Sequence, residues 1–275
     1  MPAVSQPRPG RREAPKKRFG QHFLTDPNTA RIVAAGVGAG DVVVEIGAGR
    51  GALTTVLADR ARLVHALEVD EGVMPELRAA LAGRDNVRVH AADALVFDYA
   101  VLDPPPSAMV ANLPYNVASP LVLGLLERVP GVRRLRFMVQ LEVARRMAAA
   151  PRTKDYGSYA VLLQLLGEVS VEHRVSRRVF DPPPRVDSAV VEVRRRVEPL
   201  FGEAEYAGLK ELVLAAFGNR RKRLANNLAA GDRARAPEAL ASVGHGPDAR
   251  AEELSPAEFV GLYRWLEEGA GGSPG

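Results

Sequence analysis

The chain has 275 residues, 47% hydrophobic and 25% charged, with a formal net charge of +4 and no cysteine. That length supports one sizeable core plus a smaller second unit, and the balance describes a soluble globular protein rather than a disordered or fibrous one. Without cysteine, disulfides and thiolate chemistry are excluded and a cytoplasmic setting is expected; five scattered histidines argue against a metal site, and no apolar run approaches the roughly 18 residues of a membrane span.

In chain order, residues 1–15 are rich in Pro, Arg and Gly, lack the apolar stretch of a secretory signal, and read as a flexible basic arm. Asp26-Pro27 is an expected helix start, with Asp as N-cap and Pro at the first helical position. From residue 41, short apolar runs alternate with helical stretches. Strands are expected at Val42–Ile46, Leu63–Glu68, 87–90, 108–111 and 135–139, the rhythm of a doubly wound, mainly parallel α/β sheet. Two further β-like runs, 169–175 and 188–194, flank the corner Pro182-Pro183-Pro184, which predicts an antiparallel pair closing the sheet. After residue 197 strand signals stop. Ser255-Pro256-Ala257-Glu258 is a capping box opening a helix with Phe259, Leu262, Tyr263 and Leu266 on one face. The expected units are the arm 1–15, an α/β domain 16–196, a helical domain 197–268 and a disordered tail 269–275.

The first strand runs into Glu45-Ile46-Gly47-Ala48-Gly49-Arg50-Gly51-Ala52. Gly47 and Gly49 permit a tight turn and close backbone approach to a nucleotide-like ligand. Glu68, closing the second strand, is spaced to grip ribose hydroxyls, and Asp93, after the third, to accept from an adenine amino group. Such a turn serves NAD, FAD and S-adenosylmethionine (SAM) alike. The end of the fourth strand, Asn112-Leu113-Pro114-Tyr115-Asn116, discriminates between them. Asn112 can accept one N–H of a planar amine through its side-chain oxygen, and the Leu113 carbonyl can accept the other, because Pro114 biases Leu113 toward an extended conformation. Tyr115 can stack on the purine. Acceptors that strengthen as an amine nitrogen becomes tetrahedral and positive stabilise the transition state of its methylation. A dehydrogenase has no use for them, so SAM is the expected cofactor and adenine N6 the expected acceptor.

Residues 17–24, Lys-Arg-Phe-Gly-Gln-His-Phe-Leu, resemble the opening motif of the small-subunit (16S) ribosomal RNA adenine N6,N6-dimethyltransferases. Residues 45–49, Glu68, Asp93-Ala94, 112–120, 140–146, Tyr156-Gly157, 179–188 and 217–228 follow that family in order and spacing. The resemblance implies a Rossmann-like SAM domain with a small all-helical C-terminal domain. It implies dimethylation of two adjacent adenosines in the 3′-terminal hairpin loop of small-subunit rRNA, late in subunit assembly, by a monomer. The implied cofactor positions are His22, Leu24, Gly47, Glu68, Asp93 and Asn112. His22 stands where many members have Asn, and both side chains can donate to the cofactor's carboxylate. Phe180 would be the second wall of the base pocket, opposite Tyr115. Arg220, Arg221, Lys222 and Arg223, on a predicted helix with Leu224 and Leu228 on its other face, would contact the RNA backbone. Gln140 and Glu142 are given no chemistry. The alternatives are a large-subunit rRNA methyltransferase conferring macrolide resistance, and a non-catalytic assembly or nucleic-acid-binding factor on the same fold.

Overall fold

The computed structural model describes residues 22–113 and 117–270. The expected arm, residues 16–21 of the opening motif, Pro114-Tyr115-Asn116 and residues 271–275 lie outside the described residues.

The elements in order are β1 (Phe23–Leu24), α1 (Pro27–Val33), β2 (Val42–Ile46), α2 (Ala52–Ala58), β3 (Leu63–Glu68), α3 (Met74–Ala80), β4 (Val87–Ala91), β5 (Ala108–Asn112) and α4 (Ala118–Arg128). They continue with β6 (Arg134–Gln140), α5 (Leu141–Met147), α6 (Ser158–Leu166), β7 (Gly167–Val175), β8 (Phe180–Asp181), β9 (Ser188–Arg195), α7 (Tyr206–Ala216), α8 (Ala230–Ser242) and α9 (Pro256–Ala270). Seven strands form one sheet in the order β4-β3-β2-β5-β6-β9-β7. β2, β3, β4, β5 and β6 are parallel, and β9 runs antiparallel to both β6 and β7.

The period of two along each strand builds the two faces. Val44 and Ile46 of β2, Met109 and Ala111 of β5, and Leu135, Phe137 and Val139 of β6 enter one core with α4 and α5. Val43, Val64, Ala66, Val110 and Met138 enter the other, beneath α1, α2 and α3. At the antiparallel end Arg136 of β6 donates to Glu192 of β9 at 2.6 Å. Both groups are almost fully buried, so each supplies the partner the other's desolvation demands.

Past β9 the described chain is helical, and α7, α8 and α9 close a third core. Ser255 and Glu258 cap α9 reciprocally, Ser255 N donating to Glu258 Oε2 at 2.7 Å and Glu258 N to Ser255 Oγ at 3.3 Å. This core also takes in Tyr156, Ala160, Val161, Leu162 and Leu165. Tyr156 donates its buried hydroxyl to Leu254 O at 2.9 Å. The expected boundary at 196/197 therefore divides the chain but not the packing. α9 also runs through Ala270, past the point where a tail was expected to begin.

Residues 220–223 are not helical, contrary to expectation. α7 ends at Ala216, and Phe217–Arg223 form turns before a short 3₁₀ segment, Leu224–Asn227. The Asn227 amide donates to Ala216 O at 2.7 Å and to Asn219 O at 3.1 Å, and Asn219 Oδ1 accepts from Arg221 N at 3.2 Å. Those bonds satisfy the final carbonyl of α7 and hold the chain after it in a turn.

Candidate active site

The carboxyl ends of β2, β3 and β5 and the loop after β4 open into a cavity of about 770 Å³. His22, Leu24, Gly47, Glu68, Asp93, Asn112 and Leu113 all line it. Ligand sites of open α/β sheets form at this end, where strand order reverses about the first strand of the repeat.

The floor depends on glycine. Gly47 has φ +72° and Gly49 φ +54°, in the left-handed region that side-chain-bearing residues avoid. A Cβ at Gly49 would also lie 3.3 Å from the Phe23 ring. Glu68 holds this turn from β3, its Oε2 accepting from Gly49 N at 2.7 Å and its Oε1 from Val69 N and Asp70 N, each at 2.9 Å. A carboxylate has about four acceptor positions, so one that takes three backbone bonds can still accept from a ribose hydroxyl. Asp93, after β4, accepts from Leu95 N at 3.0 Å.

At the other wall Asn112 Nδ2 donates to His22 O at 3.0 Å. A carbonyl can only accept, so this bond assigns the amide's nitrogen and turns Oδ1 into its accepting end. His22 in turn bonds through Nδ1 to Pro182 O at 2.7 Å. That contact requires the hydrogen on Nδ1, so Nε2 would donate to a carboxylate only in the imidazolium form.

Tyr115 lies outside the described residues. Phe180, expected as the second wall of the base pocket, is not among the residues lining this cavity. β8 pairs with β1 so that Leu24 faces Phe180 and Phe23 faces Asp181. Phe180 and Leu24 share the core with Val175, Met138 and Val190, and Phe180 is only 4% exposed. Phe23 and Asp181 line the cavity instead. Accordingly, Phe180→Ala is expected to cost about 3 kcal/mol of stability through cavity formation. Chemical denaturation measures it, and unchanged stability with lost turnover would return the ring to the base pocket. Arg220, Arg221, Lys222 and Arg223 are all exposed, and none lines the cavity.

Three features escaped the sequence reading. Arg50 sits 4.1 Å over the Phe23 ring and 3.2 Å from Glu76, closing the cavity beside the glycine turn. Glu45 lines the cavity while 1% exposed, and burial pushes its carboxyl up to about 8. A shallow basic depression forms where α5 meets the start of β9, lined by Arg145, Arg174, Arg177 and Arg185. There the Arg174 guanidinium holds the Asp187 carboxyl below the usual carboxylate range. The arginines are scattered between residues 145 and 185, so no run in the sequence announced them.

The sequence model of the family described as "Ribosomal RNA adenine dimethylase" matches residues 12–268. The chain belongs to that family. It is 66% identical to "Ribosomal RNA small subunit methyltransferase A" of Rubrobacter xylanophilus, over 93% of this chain and 96% of the relative. It is 42% identical to the protein of the same name from Moorella thermoacetica, over 92% and 93%. Among solved structures, a dimethyladenosine transferase from Plasmodium falciparum superposes with a TM-score of 0.80 at 23% identity, over 90% of this chain and 98% of that one. The 23S rRNA methyltransferase ErmE superposes at 0.70 and 33%, over 89% and 99%.

SAM is the cofactor of this dimethylase family, and the cavity fits it. Gly47 and Gly49 keep side chains out of the floor, and a buried acid there, Glu45, has an oxygen without a partner that a cationic ligand could compensate. His22, Leu24, Gly47, Glu68, Asp93 and Asn112, the positions expected to hold it, all line this cavity.

Proposed function

We propose that this protein is a cytoplasmic, monomeric enzyme that dimethylates N6 of two adjacent adenosines in the 3′-terminal hairpin loop of small-subunit rRNA, on an immature subunit. The observation that carries the reading is the amide of Asn112 on the cavity wall, anchored through Nδ2 to His22 O so that Oδ1 is its accepting end. When bound, SAM supplies a methyl group on an electrophilic sulfonium. Asn112 Oδ1 and the Leu113 carbonyl accept the two N–H groups of N6, aiming the nitrogen and favouring its tetrahedral, positive form. Tyr115, by its place in the motif, takes the purine face once the base has left its stack. The proton leaves the nitrogen after transfer.

The small-subunit target is favoured over the large by the higher identity to small-subunit relatives than to ErmE. The test is incubation with SAM and undermethylated small subunits, followed by mapping of methylated adenosines. Two adjacent N6,N6-dimethyladenosines are expected, and methylation confined to large-subunit RNA would overturn the assignment.

The RNA backbone is assigned to the 220–223 turn and, along the sheet edge, to the arginine depression. Within the turn the four cations differ. Arg220 pairs with Glu252 at 3.0 Å and Arg223 with Asp248 at 2.8 Å. The side chains of Arg221 and Lys222 have no such partner among the described residues. Replacing both with alanine is expected to weaken RNA binding and to lower the slope of log affinity against log salt by about 1.5, with SAM affinity spared. A titration showing the original slope would return the turn to a merely solvated surface.

A further inference from the structure

The cavity holds an acid whose role the dimethylase assignment leaves open. Glu45 lies near the end of β2, flanked in the sheet by Ala66 and Val110, neither of which offers a polar side chain. It lines the cavity while 1% exposed, and its Oε2 has no hydrogen-bond partner. Above it on α2, the fully buried Thr54 hydroxyl approaches the carboxyl and favours its charged form, against the larger effect of burial. The charged groups around the same cavity are mostly acidic: Glu68 on β3, Asp93 after β4, Glu76 on α3 and Asp181 on β8. The positive groups are Arg50, engaged by Glu76 at 3.2 Å, and the His22 ring when protonated. A carboxylate desolvated here and repelled by Glu68 favours its neutral form, and burial pushes Glu45 up to about 8.

SAM and the product S-adenosylhomocysteine (SAH) differ by one methyl and one charge. The sulfonium gives SAM a net positive charge, whereas the thioether product is a neutral zwitterion. We infer that Glu45 exchanges its proton for the positive charge of the cofactor, and that this exchange makes the cavity hold SAM in preference to SAH. The balance is simple. The Glu45 O–H breaks, the proton goes to solvent, and the carboxylate stays as counter-charge to the incoming cation. A buried acid without a counter-charge thereby becomes half of a neutral pair. After the methyl has left, the counter-charge has lost its partner, the carboxyl takes a proton back and the product is released. This inference rests on the cofactor and not on which RNA is methylated.

The test is calorimetric titration of the full chain with SAM and with SAH at pH 7, in buffers of different ionisation enthalpy. SAM binding is expected to release close to one proton, and SAH clearly less. SAM affinity should rise with pH between about 6 and 8, approaching ten-fold per unit where a full proton is released. Glu45→Gln should abolish the proton release, remove that pH dependence and shrink the SAM-to-SAH affinity ratio about ten-fold, with SAH affinity nearly unchanged. The variant's fold is checked by SAH binding. Wild-type protein alone can refute the idea, because equal proton release with SAM and SAH, or none with either, overturns it. Proton release that persists in Glu45→Gln overturns it equally. A second readout needs no ligand. The native state keeps a proton that an unfolded glutamate loses near 4.5, so wild-type stability should fall as pH rises from there through about 8 and then level. Glu45→Gln should flatten that segment, and an unchanged profile would remove the proton from Glu45.

Discussion

Asn112→Ala is expected to lower turnover about 100-fold while RNA affinity stays within about two-fold, the scale of losing one preorganised partner of a developing charge. The amide makes its specificity from two ends. Nδ2 is committed to His22 O at 3.0 Å, so the side chain does not have to be ordered when the base arrives. On the proposed reading Oδ1 meets N6 as a fixed dipole, worth more as the nitrogen turns positive than while its lone pair is delocalised. Alanine removes both the acceptor and its anchor. Single-turnover kinetics at saturating RNA and SAM would isolate the methyl-transfer step. A normal rate there with weakened RNA binding would mean that Asn112 holds the substrate and does not activate it. Asn112→Asp is a stricter probe, because it keeps an acceptor but turns the end facing His22 O into a second acceptor. It should recover little of the rate.

Glu68→Ala is expected to weaken SAM binding at least about 100-fold and to destabilise the ligand-free protein by about 3 kcal/mol. The carboxylate accepts from Gly49 N, Val69 N and Asp70 N, and it is 6% exposed. Three amides would lose a charged acceptor in a site that water enters only in part. Gly49, at φ +54°, would lose the bond that pins its turn. Glu68→Gln separates the two contributions. Its oxygen can still accept from Val69 N and Asp70 N, but its NH₂ would face the Gly49 N–H, donor against donor. The glutamine variant should therefore keep most of the stability and still lose most of the affinity. Calorimetry gives the affinity and urea denaturation the stability. Unchanged affinity in Glu68→Ala would remove the residue from the cofactor site.

Much of this was legible in the order of residues, for a local reason. The central strands announce themselves as short apolar runs, as strands covered on both faces must, and the turn after β2 by its clustered glycines. The Asn-Leu-Pro-Tyr run carries its chemistry within neighbouring residues. Glu68, Asp93 and Asn112 come from three places in the chain, yet they line one cavity because parallel strands deliver their carboxyl ends to the same edge, and β1, paired with β8, brings His22 and Leu24 to it.

The alternation of apolar runs with helical stretches, the turn chemistry and the identity of the groups at the strand ends are all written in the order of residues. Tertiary structure decided which way each side chain faces. Phe180 sits in the core and its neighbour Asp181 in the cavity because their partners are Leu24 and Phe23, more than 150 residues away. The basic run at 220–223 is a turn because Asn227 caps the end of α7. Glu45, one letter of a glycine motif, becomes a buried acid because β3 and β5 enclose it on both sides while α2 covers its face. Local periodicity is written between neighbours, but desolvation and pairing are set by groups distant in the chain, and those act only once the sheet has formed.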